Sequence, residues 1–292
     1  MLSIVEAAGP ELPAVAALLA PHSTGARVIG LTGSPGVGKS TTTTALIAAL
    51  RARGRRTAVL AIDPSSPFTG GALLGDRVRM QEHATDDGVY IRSMASRGHL
   101  GGLAAAAPQA VRAMAAAGYA DVIVETVGAG QAEVDVARLA DITVLLLAPG
   151  MGDGIQAVKA GIVEIADVLV VNKSDRDGAA ETVRDLKSML GLGGAHSAAG
   201  GWRPPIVSLV ATRAEGIDDL LAALDKHAEW ARRTGTGERR RQSRAAAEVE
   251  AIALGRLRQR LGVGSDRLSS VALDVAAGTM DAYAAADLLL ED

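Results

Sequence analysis

Gly33-Ser34-Pro35-Gly36-Val37-Gly38-Lys39-Ser40 follows the apolar run Val28–Leu31 and opens a helix-forming stretch, Lys39–Arg53. Together these make a complete strand, GxxxxGK[ST] and helix pattern, the signature of a phosphate-binding loop. The glycines permit positive φ and close backbone approach, so the loop from Gly33 to Gly38 can surround a phosphate chain at a helix N-terminus. Lys39 would reach the β- and γ-phosphates, the Ser40 hydroxyl would ligate Mg²⁺, and Thr41 would add a hydroxyl toward the α-phosphate. Thr42 to Thr44 read as helix surface or packing.

Working outward, short β-branched runs alternate with longer alanine- and leucine-rich segments. The expected fold class is α/β, a P-loop NTPase with a mostly parallel sheet flanked by helices and a helical C-terminal segment. The spacing predicts strands at Val28–Leu31, Ala58–Ile62, Val89–Arg92, Val122–Glu125, Thr143–Leu147, Val168–Val171 and Ile206–Val210. Most are apolar at every residue, as strands covered on both faces must be. Helices are predicted at Lys39–Arg53, Leu100–Ala117, Ile155–Ile165, Ala179–Leu190 and Gly216–Trp230. After Thr234 the strands stop. The basic run Arg239-Arg240-Arg241-Gln242-Ser243-Arg244 reads as a solvated helix start or hinge. Beyond it Val249, Ala253, Leu257 and Leu261 recur at four-residue spacing, and Thr279–Leu290 reads as a second helix. Such a hairpin must pack on the sheet domain or on a second subunit.

Composition narrows the chemistry. The 292 residues contain no cysteine, which excludes disulfides, thiolate metal sites and cysteine nucleophiles. A net charge of −3 and only 2% aromatic residues argue against a nucleic-acid or anionic-membrane surface. The five histidines, His22, His83, His99, His196 and His227, are scattered and suggest no transition-metal cluster. Near the N-terminus, Glu6 and the lack of a basic stretch before an apolar run make the cytoplasm the expected location.

A second motif, Asn172-Lys173-Ser174-Asp175, stands at the end of the strand Val168–Val171, where α/β folds place ligands. The Asp175 carboxylate can accept from both the N1–H and the 2-amino group of guanine, donors that adenine lacks there. Val210, Ala211 and Thr212 end the last strand and are expected to turn backbone N–H groups toward guanine O6. Asp63 and Asp76 lie in a loop after the second strand and suit inner- or outer-shell Mg²⁺ contacts. Glu125 ends a strand and can order Mg²⁺ or the attacking water, while Gly128 can offer its N–H to the γ-phosphate and so sense hydrolysis. Arg92, Arg97 and His99 belong to a glycine-bearing loop with no firm role.

Through Gly33–Ser40, Asp63–Ser66, Thr69–Met80, Arg92–Gly102, Glu125–Gln131, Pro149–Lys159 and Asn172–Asp175, the chain resembles the MeaB/ArgK family. These are GTPases that act as chaperones of adenosylcobalamin-dependent acyl-CoA mutases. One departure is Val210-Ala211, where the family has Ser-Ala. The resemblance implies a homodimeric, Mg²⁺-dependent GTPase using GTP and GDP, without a cobalamin motif of its own. It would bind the mutase and gate cofactor loading, protection and reactivation. Lys39, Glu125 and Asp76 would be catalytic, and Ser40, Asp63, Asp76 and Glu125 would serve the metal. The loop with Asp153 and Lys159 would be the switch that couples the mutase to hydrolysis. The implied layout is a helical lead-in over 1–26, the GTPase domain over 27–234 and a dimerisation arm over 235–292. Rival readings are a nickel-delivery GTPase, which should show Cys or clustered His, an ATP-dependent kinase, and a non-hydrolysing module that uses GTP to stabilise a dimer.

Overall fold

The structure, a computed structural model, describes residues 2–7, 9–64, 81–83, 85–96, 102–126, 132–150, 162–192, 201–261 and 266–290. Seven strands, β1 (Arg27–Thr32), β2 (Thr57–Pro64), β3 (Val89–Ser96), β4 (Asp121–Thr126), β5 (Ile142–Leu147), β6 (Val168–Asn172) and β7 (Ile206–Leu209), form one sheet in the order β3-β2-β4-β1-β5-β6-β7. Every ladder is parallel. All seven predicted strands are present.

Parallel neighbours need crossovers, and helices supply them on both faces. Two short helices, α1 (Leu2–Ala7) and α2 (Leu12–Leu19), precede β1. They are followed by α3 (Lys39–Ala52), α4 (Gly102–Ala116), α5 (Ala132–Leu139), α6 (Ala179–Leu192) and α7 (Ile217–Arg233). Alternate residues of each strand divide between the faces. Ile29, Leu31, Ile123, Val144, Leu146 and Val170 join Leu46, Ile47 and Leu50 of α3 and Leu220, Leu221 and Leu224 of α7 in one core. Val28, Val122 and Val124 pack with Ala110, Val111 and Met114 of α4 and Val136 of α5, while Leu145, Leu169 and Val171 pack with Leu186 of α6. The helix α5 was not among the predicted ones. Its seat on β1 depends on Gly30, where a Cβ would stand 2.7 Å from Val136 Cγ1 and 2.8 Å from Ala140 Cβ. Most of the predicted helix Ile155–Ile165 lies outside the described residues, and Ile162–Ile165 forms a 3₁₀ turn.

At the N-terminal ends of the strands the same short sequence recurs, as Ala120-Asp121-Val122, Ala140-Asp141-Ile142 and Ala166-Asp167-Val168. Each aspartate gathers cations or caps a neighbouring strand. Asp121 is buried and takes Arg27 Nε at 2.7 Å as well as Arg55. Asp141 accepts the Val28 N–H at 3.0 Å, and Asp167 accepts the Thr143 N–H at 2.9 Å. The basic run lies near the start of a helix, Thr236–Arg260, as sequence expects, but two of its arginines are not left to solvent and supply the remaining cations. Arg240 pairs bidentately with Asp167 at 2.8 Å and 2.8 Å, and Arg244 Nη2 reaches Asp141 Oδ1 at 2.5 Å. Around Asp167, Trp202 Nε1 donates to the main-chain carbonyl at 2.7 Å. His227 Nε2 lies 3.2 Å from Oδ1 but without hydrogen-bond geometry.

By internal contact the chain divides into Met1–Arg244 and Ala245–Asp292. Arg240 and Arg244 belong to the first unit and sit on α8 (Thr236–Arg260), whose later turns belong to the second. The second unit adds α9 (Asp266–Ala276) and α10 (Ala282–Leu290), with Val271 and Ala285 buried. Here α8 leaves Val249, Ile252, Leu254 and Leu257 exposed. Among the described residues no helix is long and apolar enough to cross a membrane.

Burial alone would raise the Asp167 carboxyl, but the adjacent His227 ring, by proximity, and the bidentate Arg240 outweigh it and hold it at about 2, from an ordinary 3.8. A depressed carboxylate stabilises the fold above its unfolded value, and that contribution disappears as pH falls from about 4 through about 2. Arg240→Ala, which removes one of the two groups that lower Asp167, is therefore expected to destabilise the fold at pH 7 and progressively less below pH 4, as read by urea unfolding across that range.

Candidate nucleotide site

The C-terminal ends of the strands carry the phosphate loop between β1 and α3. Three of its glycines have positive φ: Gly33 at 140°, Gly36 at 80° and Gly38 at 95°. At two of them a side chain has no room. A Cβ on Gly33 would stand 2.3 Å from Leu146 O of β5, and one on Gly38 would stand 2.4 Å from Asn172 Nδ2. Val37 is buried in the core beneath the loop, whereas Pro35 and Gly36 are exposed. Gly38 caps α3, so the helix N-terminus opens into the loop. Lys39 Nζ donates to the carbonyls of Gly33 at 2.5 Å and Ser34 at 3.2 Å, folded over the space where phosphate oxygens would compete for it. Ser40 and Thr41 occupy the first turn of α3, Thr41 at the surface.

The threonine run separates by helix geometry. Thr42 and Thr44 return their hydroxyls to Gly38 O at 2.9 Å and Ser40 O at 3.1 Å. Thr43 is fully buried and its hydroxyl contacts Glu125 Oε2 as well as Lys39 O. Sequence read Thr43 as surface or packing; it is instead a polar link from the lysine turn to the carboxylate. Its signal was available in the spacing, since Thr43 falls one turn after Lys39 and Ser40 on the face turned to the sheet. Glu125 is 1% exposed and in register with Leu31 of β1 and Ala61 of β2. Asp63 follows two residues beyond Ala61 on β2, placed by its backbone; its side chain lies outside the described residues. Asp76, Gly128, Asp153, Lys159, Arg97 and His99 also lie outside them. Arg92 serves the fold, reaching Glu6 of α1 at 2.5 Å.

The second motif joins the first through one amide. Asn172 is 2% exposed; its Nδ2 donates to Val37 O at 2.8 Å, and its Oδ1 accepts the Ala211 N–H at 3.1 Å. Lys173 Nζ donates to Gly36 O at 2.7 Å, from a residue with φ of 57°, a left-handed conformation that costs a non-glycine residue free energy and concentrates at functional sites. Of the three N–H groups expected near guanine O6, that of Ala211 is engaged by Asn172 and that of Val210 by Glu215 O at 3.0 Å. Thr212 follows them in the 3₁₀ turn Ala211–Arg213. The Asp175 carboxylate is part exposed and meets Arg213 Nη1 at 3.2 Å, a contact that sequence reading missed. Phosphate loop, Asn172 motif and the loop at Val210 thus converge on one edge of the sheet, bringing together the segments that sequence assigns to a phosphate end and a base end.

Over residues 1–265 the chain matches the model of the family described as methylmalonyl-CoA mutase-associated GTPase MeaB. The chain belongs to the MeaB family. A relative in Pyrococcus abyssi that is named as a GTPase is 44% identical over 274 residues, 93% of this chain and 85% of its own. GTPase ArgK of Escherichia coli is 40% identical over 199 residues, 67% of this chain and 60% of its own. The mitochondrial methylmalonic aciduria type A homolog of Caenorhabditis elegans is 40% identical over 222 residues, 73% of this chain and 54% of its own. The crystal structure of a LAO/AO transport system kinase superposes with a TM-score of 0.73 at 26% identity, covering 99% of this chain and 90% of that one. This MeaB-family chain is a GTPase, a hydrolase of GTP built on the P-loop fold described above.

The Thr43 hydroxyl generates a prediction specific to hydrolysis. Thr43→Val removes a donor from a buried carboxylate while keeping the shape, and should lower single-turnover phosphate release several-fold with GDP affinity in EDTA unchanged. Thr43→Ser should restore it.

Proposed function

We propose that this MeaB-family GTPase binds an adenosylcobalamin-dependent acyl-CoA mutase and uses GTP binding and hydrolysis to gate cofactor loading, protection and reactivation. The observation that carries this reading is the family match over residues 1–265, joined to a complete phosphate loop and guanine motif on one sheet edge. The C. elegans relative, named for methylmalonic aciduria, supports the same partner class.

The residues at the phosphate end fit Mg²⁺. It is a hard cation that takes one or two carboxylates together with phosphate oxygens and water, so no dedicated cage is required. Among the described residues no three His, Asp or Glu side chains form one. Ser40 on the first turn of α3 and Glu125 at the end of β4 offer oxygen donors, and Asp63 and Asp76 are the other acids proposed to serve the ion. When bound, the ion neutralises charge developing on the β- and γ-phosphate oxygens. Lys39 leaves the carbonyls of Gly33 and Ser34 for the phosphates, the α3 N-terminus stabilises them, and Glu125, oriented by Thr43, orders the attacking water or its metal shell. Gly128 would sense the γ-phosphate, and the loop with Asp153 and Lys159 would report its loss to the mutase. At the base end Asn172 holds the site together, Lys173 covers the base and Asp175 selects guanine. The 235–292 segment is proposed as a homodimerisation arm and the cytoplasm as the working compartment; no nucleic acid, membrane or protein-bound cobalamin enters the scheme.

Phosphate release is expected to accelerate when purified mutase is added, and tagged protein should retain mutase differently with a GTP analogue and with GDP. Equal rates and equal retention would sink the coupling. Asp175→Asn should shift preference from guanosine to xanthosine nucleotides, whose 2-oxo group requires a donor in place of the carboxylate; competition between GDP and XDP reads it.

A further inference from the structure

The base end contains an ion network that phosphate chemistry does not use. Arg213 Nη1 lies 3.2 Å from Asp175 Oδ2. The same guanidinium is held on its other side by Glu215, Nε to Oε1 at 2.7 Å and Nη2 to Oε2 at 3.2 Å. One planar cation therefore spans two carboxylates, with two hydrogen bonds to Glu215 and one to Asp175. The backbone presents it there. Val210 N–H donates to Glu215 O at 3.0 Å and Arg213 N–H to Val210 O at 3.0 Å. Ala214 is left-handed with φ of 55°, and Gly216, with φ of 84°, runs so close to β7 that a Cβ would stand 2.2 Å from Ser208 O. With side chains 51% exposed at Arg213 and 38% at Asp175, the pair is open to an entering base.

The Watson–Crick edge of guanine and the edge of a guanidinium present the same thing to a carboxylate, two parallel N–H donors in one plane. Arg213 takes one acceptor position of Asp175 Oδ2 and brings its cation to the carboxylate edge that the base must approach. We propose that Arg213 is an internal competitor of guanine: it holds Asp175 while the base is absent, retreats onto Glu215 when guanine enters, and recaptures Asp175 as guanine leaves. It thereby sets nucleotide affinity and release rate from within the chain. The proposal rests on the reading of Asp175 as the guanine acceptor. Because the retreat keeps both hydrogen bonds to Glu215 and gives up only one exposed contact, the exchange is small, a factor of about 2 to 5 in affinity.

Stopped-flow association and dissociation of fluorescent GDP with the full chain test it. Arg213→Ala should tighten GDP about 2- to 5-fold, mainly by slowing release. Glu215→Gln, which frees the guanidinium to commit to Asp175, should weaken GDP by a similar factor, and added salt should shrink both differences. The opposite signs separate competition from damage, since a poorly folded variant can only bind less. If Arg213→Ala binds GDP equally or more weakly, or Glu215→Gln tightens it, the competitor is overturned while the guanine reading stands. If Asp175→Asn still prefers GDP to XDP, both fall together.

Discussion

A single buried amide joins the phosphate loop to the loop at Ala211. Asn172 donates to the phosphate loop at Val37 O and accepts from the base loop at Ala211 N–H, using both ends of one side chain to tie three chain segments far apart in sequence. An amide is the side chain suited to this, because it carries donor and acceptor in one rigid plane and no charge to desolvate. Aspartate would lose the donor and place a carboxylate against a carbonyl. Gly38 is bound by the same constraint, since the amide occupies the position a Cβ would need. The phosphate loop and the loop at Ala211 are thereby held in a fixed relation through one residue.

The opposite rim of the sheet is governed by charge. Asp121, Asp141 and Asp167 begin or immediately precede β4, β5 and β6, and arginines from distant segments converge on them. Two of the aspartates also satisfy strand-start N–H groups that would otherwise lack a ladder partner. The last cations come from the first turns of α8, which ties those turns to the rim of the sheet.

Much of this was legible in sequence, for identifiable reasons. Strands buried on both faces are uniformly apolar, and the phosphate loop and Asn172 motif are dense in residues that only a few conformations can use. What escaped was relational. The helix α5 is short and rests on the absence of a methyl group at Gly30, which no local pattern announces. Arg240 and Arg244 looked solvated because a charge run says nothing of carboxylates 73 and 103 residues away. The recurring Ala-Asp-apolar triplet could have supplied that hint. Thr43 and Arg213 were hidden within motifs whose neighbours drew the reading, and only the fold shows that each faces a carboxylate.

Gly30 carries a further consequence. A glycine within a central strand normally weakens it, yet here it lets α5 lie against the backbone of the strand that ends in the phosphate loop. The distance between that helix and the sheet is thus defined by main chain on one side, without a side chain able to change rotamer. Any side chain at Gly30 would therefore displace α5 from the strand that leads into Gly33, so a change remote from every polar group of the loop would be felt at its root.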